Sequence, residues 1–154
     1  MKSTVLKFGS YGLLVGFLIF FMHLFFGIDN LDYSTNEVLG YLSIFLPLSF
    51  IYFGIKHFRD KENNGFISLG KAIQIGVLIA LFVGLGIAVA DFIYTKFIDP
   101  GFFANYEQQL IDQGKEDEIV KMTSTTAALF MLILVTIIGF IISLISGIIL
   151  QRKK

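Results

Sequence analysis

The sequence predicts an all-α membrane protein, a polytopic four-transmembrane-helix bundle with a short amphipathic outer helix between helices 3 and 4. Two observations carry this prediction. Hydrophobic residues make up 55% of the 154 positions and charged residues only 16%, which is too few charges to cover a soluble domain of this size. The apolar residues also fall into four long runs. We expect residues 1–154 to form a single domain.

Each apolar run is long enough to cross a bilayer, because a transmembrane helix needs about 20 mostly apolar residues. The predicted spans are residues 8–28, 38–55, 72–98 and 127–150. Pro47 removes a backbone donor from the second span and predicts a kink there. The first span follows basic residues as a signal peptide would, but its apolar part is longer and no small-residue cleavage site follows it. We interpret it as retained.

The basic residues predict the orientation of the spans. Nine of the twelve lie before the first span, between the second and third, or after the fourth: Lys2, Lys7, Lys56, Arg59, Lys61, Lys71, Arg152, Lys153 and Lys154. The two other connections are acidic, and Lys115 and Lys121 are their only basic residues. The positive-inside rule therefore predicts that both termini and the central loop are cytoplasmic.

Small residues predict how the helices pack, because membrane helices approach closely where side chains are small. In the third span they recur at every fourth position and form a stripe of Ala72, Gly76, Ala80, Gly84 and Ala88. The fourth span has the same spacing at Gly139, Ser143 and Gly147, and the first span carries Gly9, Gly12 and Gly16. We expect the third span to be the central packing element. Gly86 lies off the stripe and is expected to tolerate a larger side chain better.

The connection between the third and fourth spans predicts a short helix. Asp99 is the expected N-cap, with Pro100 at the first helical position. Phe103, Tyr106 and Leu110 then recur on one face, opposite polar residues. We expect this helix to lie on the outer membrane surface or over the bundle, with Gly114 at its end.

Two ionisable residues lie at membrane depth, where such groups indicate function by default. At a rise of about 1.5 Å per residue, His23 lies about 22 Å from Phe8 and Asp91 about 28 Å from Ala72, so both fall in the outer third. A buried polar pair of His23 and Asp91 would relay protons or bind a cation. The alternative is that Asp91 lies at the headgroup boundary, solvated or near Lys96, and that His23 bonds a backbone carbonyl.

The central loop is the other candidate for binding. Its basic residues Lys56, Arg59, Lys61 and Lys71 stand beside aromatic residues, a pattern that predicts contact with anionic lipid headgroups or a partner. The alternative is that they only fix topology. Asn64-Gly65 predicts a tight turn, and Ser68 is expected to cap the third span.

A family resemblance rests on several stretches of the chain, namely Gly54–Lys61, Asn64–Ala72, Phe92–Tyr94, Phe97–Phe102 and Gly139–Gly147. With the span layout, they make the chain resemble the bacterial membrane-protein family catalogued as domain-of-unknown-function family 4199. The resemblance covers nearly the whole chain. It implies a multi-pass architecture and a bacterial cytoplasmic (inner) membrane location, and it implies no chemistry.

The residue inventory narrows the possible functions. The chain has no Cys, only two His and a net charge of zero, which argues against thiolate or His-rich metal sites and against a nucleic-acid partner. Nucleotide, zinc-protease and hydrolase motifs are also missing. We therefore expect no enzyme activity and no cofactor. The predicted function is an accessory or interaction subunit in contact with the lipid bilayer and with a membrane-protein partner or further copies of itself. The alternative is a small oligomeric transporter or channel lined by His23 and Asp91.

Overall fold

The computed structural model describes residues 1–27 and 33–152, and that part of the chain contains five α-helices. They are α1 (Lys2–Gly27), α2 (Tyr33–His57), α3 (Leu69–Ile93), α4 (Phe102–Asp112) and α5 (Ser124–Leu150). Short π-helical turns, Phe58–Glu62 and Tyr94–Ile98, continue α2 and α3, and a 3₁₀ turn, Glu116–Glu118, follows α4. The predicted end of the first span at Ile28, the acidic residues Asp29 and Asp32, and the basic tail residues Lys153 and Lys154 lie outside the described residues.

Four of these helices are long and apolar enough to cross a membrane: Lys2–Phe26, Val38–Glu62, Leu69–Ile98 and Ser124–Leu150. The predicted all-α fold is confirmed. Most helices extend beyond the apolar runs, since polar residues at a span's edge can continue the helix. At the start of α5, for example, Thr123 and Thr126 extend the helix beyond the apolar run. They form a reciprocal capping box with hydrogen bonds of 3.2 and 2.8 Å. α2 passes through Pro47 as one helix, and the kink stays a prediction.

The third span lies at the centre of the bundle. α3 packs against α1, α2 and α5, and it is the most buried of the four spans. It runs parallel to α1, since Gly9 lies against Phe82 and Gly16 against Ile87. The other three spans leave large apolar faces exposed. In a bilayer those faces meet lipid.

The contact between α3 and α5 is built from small residues. A Cβ atom built on Gly76 would overlap the Ser143 side chain, and one built on Gly139 would overlap the Cβ of Ala80. A Cβ on Gly147 would lie 3.2 Å from that of Ala72. The predicted stripe therefore meets the small residues of α5 in antiparallel pairs.

Gly86 lies in a second tight contact. A Cβ atom there would overlap the backbone carbonyl of Leu13 on α1. The expectation that Gly86 tolerates enlargement is therefore wrong. Because α3 is central, it buries one face against α5 and another against α1, and Gly86 belongs to the second face.

α4 begins two residues later than predicted. The carboxylate of Asp99 accepts a hydrogen bond from the Gly101 N–H at 3.2 Å, and its backbone carbonyl accepts one from Phe102 at 3.1 Å. Asp99 thus organises a turn ahead of the helix and is not the N-cap, which is Gly101.

The end of α4 falls where the sequence predicts it. Gly114 has a φ of +71°, which favours glycine. Its N–H donates to Ile111 at 2.9 Å, and the next N–H, of Lys115, donates to Leu110 at 2.9 Å. These two bonds form a Schellman motif that satisfies the last carbonyls of the helix.

Candidate functional site

His23 lies one turn before the end of α1 and faces α2. Its Nε2 lies 3.5 Å from the position that a Cβ on Gly40 would take. The imidazole also packs against the Phe20 ring, with centroids 6.4 Å apart. The missing side chain of Gly40 leaves the space that the imidazole occupies.

A cavity of about 380 Å³ lies beside His23, between α1 and α2. We call it the α1–α2 groove, and it is lined by Ile19, Met22, His23, Phe26, Leu39, Leu42, Ser43 and Leu46. The Ser43 hydroxyl donates to the Gly40 carbonyl at 2.7 Å. The Ser43 proton is therefore already used, whereas the His23 imidazole donates and accepts no hydrogen bond among the described residues. Its Nδ1 is buried and has no hydrogen-bond partner within residues 1–27 and 33–152.

Asp91 lies on α3, close to the level of Phe20. Val83 packs against Gly12 and Ile87 against Gly16, and one further step of four residues on each helix brings Asp91 level with Phe20. The side chain is only 7% exposed. Its Oδ2 has no hydrogen-bond partner in the described part of the chain. The solvated alternative does not hold for a carboxyl so deeply buried.

The structure does not join His23 to Asp91. The hydrogen bonds and ion pairs of the described residues include none between them, since the imidazole is directed at Gly40 of α2 and Asp91 belongs to α3. The direct pair that the sequence suggested is absent from these contacts. Among the described residues, no backbone carbonyl bonds His23 Nδ1 either.

Of the four basic residues proposed for lipid contact, Arg59 is engaged inside the protein. Its guanidinium donates to both carboxylate oxygens of Asp60, at 2.6 and 3.1 Å, and to the Leu150 carbonyl at 3.3 Å. Arg59 is buried because the last carbonyls of α5 need donors. Arg59 is therefore not available to bind lipid headgroups. Lys56 and Lys61 remain exposed, and Lys71 is half-buried.

α3 begins with the predicted N-cap, Ser68. The Ser68 hydroxyl accepts from the Lys71 N–H at 3.4 Å, and the Lys71 amine donates to Gln74 at 3.3 Å. Asn64 and Gly65, with φ of 52° and 84°, form the predicted turn.

The loop over residues 58–68 also holds the ends of α1 and α5. Ile67 and Arg152 exchange two backbone hydrogen bonds at 3.1 and 3.0 Å. Glu62 accepts the Thr4 hydroxyl at 2.6 Å and pairs with the amino group of Met1. We call this set of contacts, with the Arg59–Leu150 bond, the clasp. Sequence reasoning missed it, because partners so far apart in the chain leave no local signal.

Residues 99–123, which we call the α4 segment, lie outside all four spans. Phe102 anchors the segment edge-on against the Tyr94 ring, with centroids 6.2 Å apart, and Leu110 is buried. Three large apolar side chains nevertheless remain exposed, Tyr106 at 53%, Ile111 at 42% and Val120 at 66%. The segment carries six acidic residues and two lysines. Its surface is thus apolar and acidic together.

In the described part of the chain, no three His, Cys, Asp or Glu side chains are grouped to hold a metal ion. The family model described as "Protein of unknown function (DUF4199)" matches residues 7–152. No curated protein and no solved structure matches the chain.

Proposed function

The chain belongs to the DUF4199 family, and from that premise we propose that it is a non-enzymatic accessory or interaction subunit of the bacterial inner membrane. Both termini and the clasp lie in the cytoplasm, as the basic residues favour. The α4 segment then lies on the outer side of the membrane, attached to a tightly packed helix bundle. We propose that this segment is the surface that binds a partner.

The exposed apolar residues of the α4 segment carry this proposal. Within the spans an exposed Leu or Ile meets lipid and needs no further explanation. Tyr106, Ile111 and Val120 lie beyond the ends of the spans, where an exposed large apolar side chain does not meet the hydrocarbon and is available to a partner. Phe102 packs against the buried core of the bundle and holds the start of the segment there.

The charge of the segment favours one class of partner. Six acidic residues against two lysines attract a protein surface that carries basic residues next to apolar ones. The same charge disfavours insertion into a membrane surface rich in anionic lipid. We therefore propose a membrane protein with a basic, partly apolar outer segment as the partner.

A small oligomeric transporter is the second candidate, and Asp91 favours it. Its Oδ2 has no hydrogen-bond partner among residues 1–27 and 33–152, and a buried carboxyl at membrane depth is typical of ion pathways. This function predicts that proteoliposomes containing the protein conduct protons or cations and that Asp91→Asn abolishes the flux. Equal flux for both proteins, or none for either, would remove this candidate.

Site-specific photo-crosslinking tests the proposed binding surface. A photoreactive phenylalanine analogue at Tyr106 should crosslink a membrane protein with a basic outer segment. The same analogue at Leu14, which is 57% exposed on α1, should not. Reversing two charges of the segment, Asp112→Lys with Asp117→Lys, should reduce the yield about tenfold, equivalent to about 1.4 kcal/mol of binding free energy. A crosslinking yield that does not change after the charge reversal would contradict the proposal. So would crosslinks to lipid alone.

A further inference from the structure

We propose that the α1–α2 groove binds one phospholipid, with an acyl chain in the groove and an ester carbonyl that accepts a hydrogen bond from His23. This proposal is independent of the α4 segment, because the groove lies within the spans. It assigns a role to a half-buried imidazole that the proposed partner does not use.

The position of the groove favours an acyl chain as its occupant. Met22, Phe26, Leu42 and Leu46 flank it and are each exposed to about half of their surface, so it opens sideways into the hydrocarbon. Lipid chains are the molecules that surround a span at this point. From Ile19 to Phe26 the groove runs for about 10 Å at the rise of an α-helix. The part between Ile19 and His23 is about 6 Å long, enough for the first carbons of an acyl chain whose ester carbonyl lies at His23.

The position of His23 favours a diacyl phospholipid over a plain hydrocarbon. His23 lies four residues before Gly27, the last residue of α1, and therefore about 6 Å from the helix end. An ester carbonyl is the hydrogen-bond acceptor that a diacyl lipid carries next to its chains. A neutral imidazole has one N–H donor and one acceptor nitrogen. An ester carbonyl only accepts, so it matches an N–H on Nε2, since Nδ1 is the ring nitrogen that is buried.

The rest of the lining disfavours a polar ligand. Apart from His23, the groove offers the Ser43 hydroxyl, whose proton already bonds the Gly40 carbonyl. None of the lining side chains is a Lys or Arg that would hold a phosphate or carboxylate. An apolar chain with one acceptor near its end is the ligand that this arrangement fits.

Tryptophan fluorescence tests the proposal, because the chain has no Trp of its own. Phe26→Trp places a reporter in the lining of the groove. Phe25→Trp is the matched control, since the two phenylalanines are adjacent and 59% and 54% exposed, but Phe25 is not part of the lining. Both variants are purified and reconstituted in phosphatidylcholine vesicles in which one lipid in ten carries bromine, a fluorescence quencher, on its acyl chain.

The bound lipid should quench Phe26→Trp at least twice as strongly as Phe25→Trp. The excess should disappear when the brominated lipid is a diether analogue, which has no ester carbonyl. It should also disappear when His23→Leu is added. The diether measurement leaves the protein unchanged, so it remains decisive even if His23→Leu does not fold.

Three outcomes would overturn the proposal. Equal quenching of the two reporters means that no lipid is held in the groove. An excess that survives both the diether lipid and His23→Leu means that the cavity is filled without a bond to His23. Weaker quenching of Phe26→Trp than of Phe25→Trp means that protein covers the groove, as in a second copy of the chain docking there.

Discussion

Gly76 of α3 and Ser143 of α5 lie so close together that a methyl group on Gly76 would overlap the Ser143 hydroxyl. The hydroxyl donates to the Gly139 carbonyl of its own helix at 2.6 Å, so it adds no polar bond between the helices. What holds them is close backbone approach, since lipid provides no hydrophobic drive for helix association. The bundle that carries the α4 segment depends on this contact.

Gly76→Ala should lower the free energy of unfolding by about 1–3 kcal/mol, because the added methyl forces α3 away from α5. Titration with a denaturing detergent in mixed micelles measures the change in the free energy of unfolding. Adding Ser143→Gly should restore most of the loss, because it removes the side chain that the methyl meets.

Gly70→Ala is the matched control. Gly70 lies in α3 too, and a Cβ there meets nothing within 4 Å, so alanine should be neutral or slightly stabilising. Gly86 does not serve as a control, since it lies against Leu13 of α1. Equal stabilities of the Gly76 and Gly70 variants would contradict the account of this contact.

Much of this packing follows from the sequence, and the part that does not has a physical reason. Spacing of four residues identified the stripe from Ala72 to Ala88 and its counterpart on α5. Spacing on one helix does not say how many neighbours that helix has, so it gives no sign of the second contact at Gly86. The start of α4 was misplaced for a similar reason, because Asp-Pro fits both a helix cap and the turn that Asp99 forms.

The clasp predicts that Arg59 stabilises the fold more than its exposed neighbour Lys61. Arg59→Gln removes the donors to Asp60 and Leu150 and should lower the melting temperature in detergent. Lys61→Gln removes an exposed cation and should change it little. Arg59→Lys should not rescue, because an ammonium group cannot reproduce the two-pronged contact with the carboxylate. Equal melting temperatures for the two Gln variants would show that the contacts of Arg59 do not stabilise the fold.

His23 and Asp91 should act independently, because no bond joins them. In a double-mutant cycle of His23→Leu and Asp91→Leu, the changes in the free energy of unfolding should add to within about 0.5 kcal/mol. Asp91→Leu alone should stabilise, since it removes a buried carboxyl oxygen that has no hydrogen-bond partner in the described part of the chain. A larger coupling energy, or destabilisation by Asp91→Leu, would restore the paired arrangement.

The candidate site was only partly predictable. Polar residues in an apolar run are visible in the sequence, and both His23 and Asp91 were found in that way. Which helix each one faces depends on the rotation of α1 and α3 about their axes, which hydropathy does not report. Arg59 was misassigned because a basic residue near a span's end looks the same whether it binds lipid or a helix terminus.

The topology predicts the location of four reporter fusions. Fusions after Lys154 and within Glu62–Asn64 should report the cytoplasm, and fusions within Asp32–Asn36 and Gln113–Asp117 should report the outside. The cause is the concentration of basic residues in the first two regions. An exported signal from either of those two would overturn the orientation and the placement of the α4 segment.

The most direct measurement of the central claim is the environment of residue 106 in the isolated protein. The claim requires the α4 segment to face water until a partner binds it. In vesicles, Tyr106→Trp should be quenched strongly by aqueous acrylamide and weakly by lipids brominated on the acyl chain. Leu14→Trp, at a similarly exposed position within α1, should show the reverse. Lipid quenching of Tyr106→Trp as strong as that of Leu14→Trp would mean that the segment is inserted in the membrane, and would contradict its role as a docking surface for a protein.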